Sequence, residues 1–144
     1  MIEIWKNIPG IEGYQVSSLG RVRSLPRTVN VAQGKLGNSK RTIPAKLMSP
    51  CRTYMNGKQH YVTVRLNGRT RNVHRLVASA FLGKPPFGAR TEVNHKDGNR
   101  WNNVLSNLEW CSKSMNERHS QKLRANRRAL NTYNTEDGSN AKNS

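Results

Sequence analysis

Residues 93–99 read Val-Asn-His-Lys-Asp-Gly-Asn, residues 102–110 read Asn-Asn-Val-Leu-Ser-Asn-Leu-Glu-Trp, and Asn116 follows six positions later. A lone histidine beside Gly- and Asn-rich turns is more often a hydrogen-bonded surface side chain than a catalytic group. His95 has company that changes its reading. An oxygen-bearing side chain, Asn94, directly precedes it, and Asn107 and Asn116 lie 12 and 21 positions downstream. An imidazole titrates near neutrality, and amide oxygens suit hard cations.

Immediately upstream, Tyr61-Val62-Thr63-Val64-Arg65-Leu66 alternates, Asn67-Gly68 is a two-residue turn signal, and Arg69 to His74 returns. That turn pairs Val64 with Arg71 and Val62 with Val73, and leaves a second face of Thr63, Arg65, Thr70 and Asn72. A face with so little apolar surface is read as wet or lying on a partner. A two-stranded ribbon of this kind fits the major groove of B-form DNA. Leu76, Val77, Ala80 and Phe81 then recur at helical spacing over 75–81, and Pro85-Pro86 stops the helix. At the start of the chain, Tyr14-Gln15-Val16 and Arg21-Val22-Arg23 read as short strands joined by a turn at Ser17 to Gly20. Residues 26–46 show no periodicity and are read as a basic loop or linker. Glu117 to Leu130 has a helical composition with Arg124, Arg127 and Arg128. The tail from Asn131 to Ser144 is polar and is read as disordered.

Charge sets the partner class. Among 144 residues, 25 Lys and Arg face 8 Asp and Glu, giving +17. No acidic residue falls between Gly13 and Thr91, where 15 Lys or Arg occur. A folded chain that avoids acids for this long is suited to a phosphate backbone, where each neutralised phosphate releases counterions. Mean hydropathy is −0.83; no apolar run approaches the roughly 18 residues that a membrane span needs, and no segment pairs a basic face with a broad apolar one. The first residues, Met1 to Trp5, lack the build of a secretion signal. The cytoplasm is the expected location. Cys51 and Cys111 form no CxxC pair and are read as free thiols.

With these residues in view, the chain resembles the HNH nucleases. His95, Asn107 and Asn116 look like the three signature positions, in the variant whose last histidine is asparagine. The separations of 12 and then 9 residues, with HRLVASAF at 74–81, VNHKDGN at 93–99 and NNVLSNLEW at 102–110, are similar to phage intron-encoded, nicking-type HNH homing endonucleases. Trp5 to Ser24 resembles the NUMOD4-like module common in those enzymes.

The resemblance implies an α+β chain. Small antiparallel β-ribbons would lead into a ββα-metal (HNH) nuclease fold and a basic C-terminal helix. It divides the sequence into an N-terminal DNA-binding module with basic linker (1–46), a nuclease domain (47–119, hairpin 61–74, ββα-metal core about 91–119) and a basic helix with tail (120–144). It implies an endonuclease hydrolysing phosphodiester bonds of double-stranded DNA, as a nickase or homing endonuclease. One divalent ion, Mg²⁺ or Mn²⁺, would be the cofactor, with no small-molecule cofactor and a monomeric chain. His95 becomes the general base, and Asn94 and Asn116 the metal ligands. Asn107 becomes the catalytic-loop residue holding the strand of His95. Arg21, Arg23, Arg65, Arg69, Arg71, His74, Arg124 and Arg127 become the DNA contacts, His74 with a structural role as alternative. His119, one helical turn after Asn116, comes within reach of the phosphate. Products would carry 5′-phosphate and 3′-hydroxyl ends.

One departure stands out. The residue before the histidine is often aspartate in such enzymes and is Asn94 here, so the protein's two ligands carry no formal charge. Asp97 is read as a turn residue. Residues 136–142 look like the lead-in to a helix-turn-helix module that relatives carry. The rival reading is a DNA-binding regulator on the same scaffold, inactive because Asn94 cannot hold metal.

Overall fold

The computed structural model describes residues 2–32 and 38–136. Strands β1 (Trp5–Ile8), β2 (Ile11–Ser17) and β3 (Val22–Ser24) form an antiparallel sheet, closed on its far side by β6 (Lys46–Leu47) in the order β1-β2-β3-β6. Between β3 and β6 the chain leaves as β4 (Arg27–Ala32) and returns as β5 (Asn38–Ile43), a separate two-stranded ribbon. The loop reading of 26–46 is thereby corrected. Thr28, Val29 and Val31 pair with Thr42, Arg41 and Ser39, and a ladder of β-branched and polar residues needs no apolar periodicity to form. Residues 33–37 lie outside the described residues.

A second sheet holds β7 (Cys51–Met55), β8 (Lys58–Leu66) and β9 (Arg69–Asn72). Asn-Gly pairs make both of its turns: φ is 51° and 71° at Asn56 and Gly57, and 47° and 75° at Asn67 and Gly68. This left-handed pair of conformations matches the twist of a tight hairpin. Val64 faces Arg71 and Thr63 faces Asn72, the register that the second turn dictates. The ladder stops there. Val73 and His74 are not strand; they open helix α1 (Val73–Phe81), and Val62 finds its cross-strand partner in Arg52 of β7. Burial decides this: Val73 and His74 are 1% and 4% exposed, facing inward from the first turn of the helix.

Helix α1 is the hub. It packs on β1, β2, β8, β9, β10 (Thr91–His95) and β11 (Leu108–Ser112), so Val16, Leu66, Val73, Val77 and Leu108 share one core. Strands β10 and β11 pair antiparallel, and α2 (Lys113–Glu136) follows directly and lies against both. The helix begins before Glu117 and runs past Leu130, so residues 131–136 are helical rather than part of a disordered tail. Residues 137–144, and with them most of the helix-turn-helix lead-in, lie outside the described residues. Among the described residues no helix is long and apolar enough to cross a membrane.

The N-terminal sheet touches the loop between β10 and β11 at one point that matters for the site. The turn after β2 is fixed by Ser17, whose hydroxyl accepts from the N–H groups of Leu19 and Arg21. Ser18 then offers its carbonyl to the Leu105 N–H at 2.8 Å. A Cβ on Gly20 (φ +79°) would fall 2.9 Å from the backbone oxygen of Asn103. Gly10 has a similar φ of +72° but open space around it. Either Gly→Ala change costs about 1–2 kcal/mol in left-handed backbone strain. Gly20→Ala must also displace the 103 loop, so we expect it to lose about 1–2 kcal/mol more than Gly10→Ala in urea unfolding. Equal losses would show that the turn does not press on that loop.

Candidate active site

Alternation along β10 sends Glu92 and Asn94 to one face of the β10–β11 ribbon, and Val93 and His95 to the other. Pairing sets Glu109 opposite Asn94 and Leu108 opposite His95. Helix α2 adds a stripe at helical spacing: Asn116, His119, Ser120, Leu123, Arg124 and Arg127. Together with Asn94 and His95, this stripe lines a cleft of about 370 Å³ whose rim also carries Lys58, Tyr61 and Arg100. Three residues singled out in the sequence for chemistry, Asn94, His95 and Asn116, thus meet at one cleft. His119 meets them there.

Asn107 sits outside the cleft, at the base of the loop that joins the two strands. Its amide is fully employed: Oδ1 accepts from the Asp97 N–H at 3.1 Å, and Nδ2 donates to Asp97 Oδ1 at 2.9 Å and to the Asn102 carbonyl at 2.8 Å. Its backbone oxygen accepts from the Lys96 N–H. Asp97 is the matching fastener, accepting also from the Asn99 N–H and Asn102 Nδ2. Partial burial works to raise the Asp97 pKa, but the hydrogen bonds from Asn102, Asn99 and Asn107 outweigh it and hold the carboxyl below its ordinary value. Asp97 is thus spent on the loop.

His95 is 5% exposed and pairs through Nε2 with Asn103 Oδ1 at 3.2 Å. Asn103 donates its own Nδ2 to the Trp101 carbonyl, which turns Oδ1 toward the imidazole. An acceptor on Nε2 places the ring proton there and leaves Nδ1 as the basic nitrogen. Burial lowers the His95 pKa below the ordinary imidazole value, against the opposing pull of Asn103 and Asp97, so the ring is neutral at neutral pH.

His74 lies against Tyr61 with ring centroids 4.6 Å apart and planes tilted by 48°, and meets His95 edge-on at 5.2 Å. Burial drives its pKa down to about 3, aided by His95 and nearby arginines. Of its two expected roles, DNA contact and structural support, a side chain 4% exposed and packed between two rings fits the second.

The remaining expected DNA contacts are distributed differently. Arg124 and Arg127 line the cleft. Arg65, Arg69 and Arg71 project from the β8–β9 hairpin and are exposed. Arg21 forms an ion pair with Glu3, which offsets its charge. Arg23 lies 4.2 Å over the Trp5 ring and donates twice to Gln15. Sequence reasoning missed Asn103, Arg100, Lys58 and the pair Glu92 and Glu109. Glu92 was visible by alternation two positions before Asn94. Asn103 carried no local signal, since its role exists only once the 96–107 loop closes.

The two histidines predict a sign for the pH dependence of stability. Both have folded pKa values below the unfolded reference of about 6.5, so the unfolded chain binds more protons between that pH and the folded values. Stability contributed by the neutral rings is complete above about pH 6.5 and is lost as pH falls. Asp97 adds its own loss only near and below its ordinary carboxylate range. We expect the unfolding free energy to fall from pH 7 to pH 5 by up to about 1.4 kcal/mol per pH unit per histidine. His74→Phe should flatten the slope in urea titrations at these two pH values. A wild-type slope of zero would show that neither ring is held neutral.

Residues 71–118 match the model described as HNH endonuclease, and residues 3–67 match the NUMOD4 motif. The chain thus carries an HNH endonuclease segment preceded by a NUMOD4 motif. Among its relatives is the DNA endonuclease I-HmuI of Bacillus phage SP01, 37% identical over 78% of this chain and 54% of that protein. Another is the uncharacterized HNH endonuclease L245 of Acanthamoeba polyphaga mimivirus, 32% identical over 83% of this chain and 30% of that one. The chain therefore spans about half or less of the length of these curated relatives. A solved structure titled for DNA binding and cleavage by the HNH homing endonuclease I-HmuI matches with a TM-score of 0.48 and 28% identity, covering 83% of this chain and 58% of that one.

Proposed function

We propose that this chain is a metal-dependent endonuclease that hydrolyses a phosphodiester bond of double-stranded DNA, with β10, β11 and α2 as its ββα-metal unit. The observation that carries the reading is the convergence of Asn94, His95 and Asn116 on one cleft rimmed by Lys58, Arg100, Arg124 and Arg127. Neutral imidazole and amide oxygens provide for the water and a cation, and the rim provides for phosphate.

The donor set fits a hard divalent ion such as Mg²⁺ or Mn²⁺. Both amides have their Nδ2 engaged by carboxylates, which commits their oxygens to some other partner, and oxygen-only sets select such ions. Asn94 and Asn116 would hold the ion. When bound, it supplies Lewis-acid stabilisation of the charge that develops on the phosphate and leaving oxygen.

The chain's own residues do the rest. His95, neutral and with Nε2–H fixed by Asn103, takes the proton of the attacking water on Nδ1. Asn107 and Asp97 keep the loop closed so that the base does not drift. His119, on the cleft wall, is within the same space as the scissile linkage. Arg124 and Arg127 follow the backbone along α2. Arg65, Arg69 and Arg71 on the β8–β9 hairpin, with Arg27, Lys40 and Arg41 on the β4–β5 ribbon, extend the contact as strands toward a groove. The N-terminal module with its ribbon (1–46), the nuclease segment (47–119) and the basic helix (from 120) divide these tasks. One site in a monomer makes one cut, so the product is a nick, made in the cytoplasm where the DNA is.

Supercoiled plasmid tests this. With Mg²⁺ or Mn²⁺ the wild-type protein should yield relaxed circles, and none with EDTA. His95→Ala should slow nicking by about 10²–10⁴-fold while retaining DNA in a gel shift. Retention of plasmid by the wild type with no break under either metal would hand the case to the DNA-binding regulator.

A further inference from the structure

Two of the eight acidic residues of this chain meet the two candidate amide ligands. Asn94 Nδ2 donates to Glu109 Oε1 at 2.8 Å, and Asn116 Nδ2 donates to Glu92 Oε2 at 2.6 Å. The carboxylates reach these amides from adjacent positions on one ribbon face, Glu109 directly across from Asn94 and Glu92 two residues before it. With 25 Lys and Arg against 8 Asp and Glu, a carboxylate has many cations to choose from. Arg21 pairs with Glu3, whereas Glu92 and Glu109 bond to neutral amides.

Two physical consequences follow from that choice. A planar amide has one donor end and one acceptor end. With nitrogen committed to a carboxylate, rotating the amide would set oxygen against oxygen, so Oδ1 is fixed on the opposite side. Donation to an anion also polarises the amide and increases the electron density on its oxygen. Outer partners of this kind orient metal ligands and raise their basicity. Cys111, across from Glu92, senses both charges. Its thiol is pushed up to about 11, first by burial and then by Glu92 and Glu109.

We infer that Glu92 and Glu109 are positioning residues for the divalent cation. They grip the amide nitrogens of Asn116 and Asn94, present the two amide oxygens to the cleft, and supply the negative charge that these neutral ligands lack. The inference rests on the proposed function for placing the cation at Asn94 and Asn116. It answers the departure at position 94, where related sequences often put the charge on the ligand itself. Here the charge stands one bond behind.

The test uses the whole chain with a random-sequence duplex and reads free Mn²⁺ by electron paramagnetic resonance, beside plasmid nicking and a gel shift in EDTA. Glu92→Gln and Glu109→Gln keep an oxygen to accept each amide N–H and remove only the charge. Each should weaken Mn²⁺ binding by about tenfold and the double variant by about a hundredfold, with DNA retention in EDTA unchanged or tighter. Glu109→Asp, which keeps the charge, should bind Mn²⁺ better than Glu109→Gln and guards against a folding defect. Gln variants that bind Mn²⁺ like a nicking-competent wild type would overturn the positioning role and leave the nuclease reading intact. A loss in the Gln variants larger than in Asn94→Ala would make the carboxylates direct ligands and overturn it equally. A wild type that neither binds Mn²⁺ beside DNA nor nicks would remove both readings.

Discussion

The amide of Asn107 closes the loop between β10 and β11 with three hydrogen bonds, two of them to Asp97, and that closure fixes the register of the two strands. Side chains on a strand alternate, so a slip of one residue sends every side chain to the opposite face. In the observed register Asn94 faces Glu109 and His95 faces Leu108. Slipped by one, His95 would lose Asn103, and the Asn94 amide would lose its carboxylate. A single buried polar side chain, 8% exposed, thus governs where imidazole, amide oxygens and acids lie. Breaking it would leave Asp97, whose carboxyl it helps satisfy, partly unpartnered, which compounds the cost.

Charge is divided between a broadly basic surface and a few acids with local partners. The ribbons and the α2 stripe present Arg and Lys outward, the disposition that favours a polyanion and makes attraction to it salt-dependent. Four of the eight acids are placed where they act locally: Glu3 on Arg21, Asp97 in the loop, and Glu92 and Glu109 behind the amides. A cation entering the cleft would meet neutral oxygens in front and negative charge behind. That order suits a site which fills fully only when DNA phosphate arrives.

Much of the strand architecture was legible in the sequence because turn chemistry is local. Asn67-Gly68 dictated a tight turn and with it the pairing of Val64 with Arg71. The start of α1 was misread by two residues, since Val73 and His74 continue the strand-like alternation and only tertiary burial makes them helical. The β4–β5 ribbon was illegible for the opposite reason: it packs on little, so no apolar period marks it. For the site, the His95, Asn107 and Asn116 spacing located the loop and the cleft. Asn103 and the two glutamates were hidden, because a hydrogen bond between chain-distant side chains leaves no periodic trace. For His74 a surface and a structural role stayed open, because a histidine beside an arginine looks like a surface group, and only packing on Tyr61 and His95 favours the second.

Everything turns on whether a divalent ion is held between the β10–β11 ribbon and the first turns of α2. Iron-directed cleavage measures that position. Protein mixed with a duplex, Fe²⁺, hydrogen peroxide and ascorbate generates hydroxyl radicals that cut the polypeptide beside the bound ion, and the fragments map its location. Our account predicts breaks clustered at residues 92–96 and 113–119, suppressed by excess Mg²⁺. Breaks clustered elsewhere, or unaffected by Mg²⁺, would contradict it.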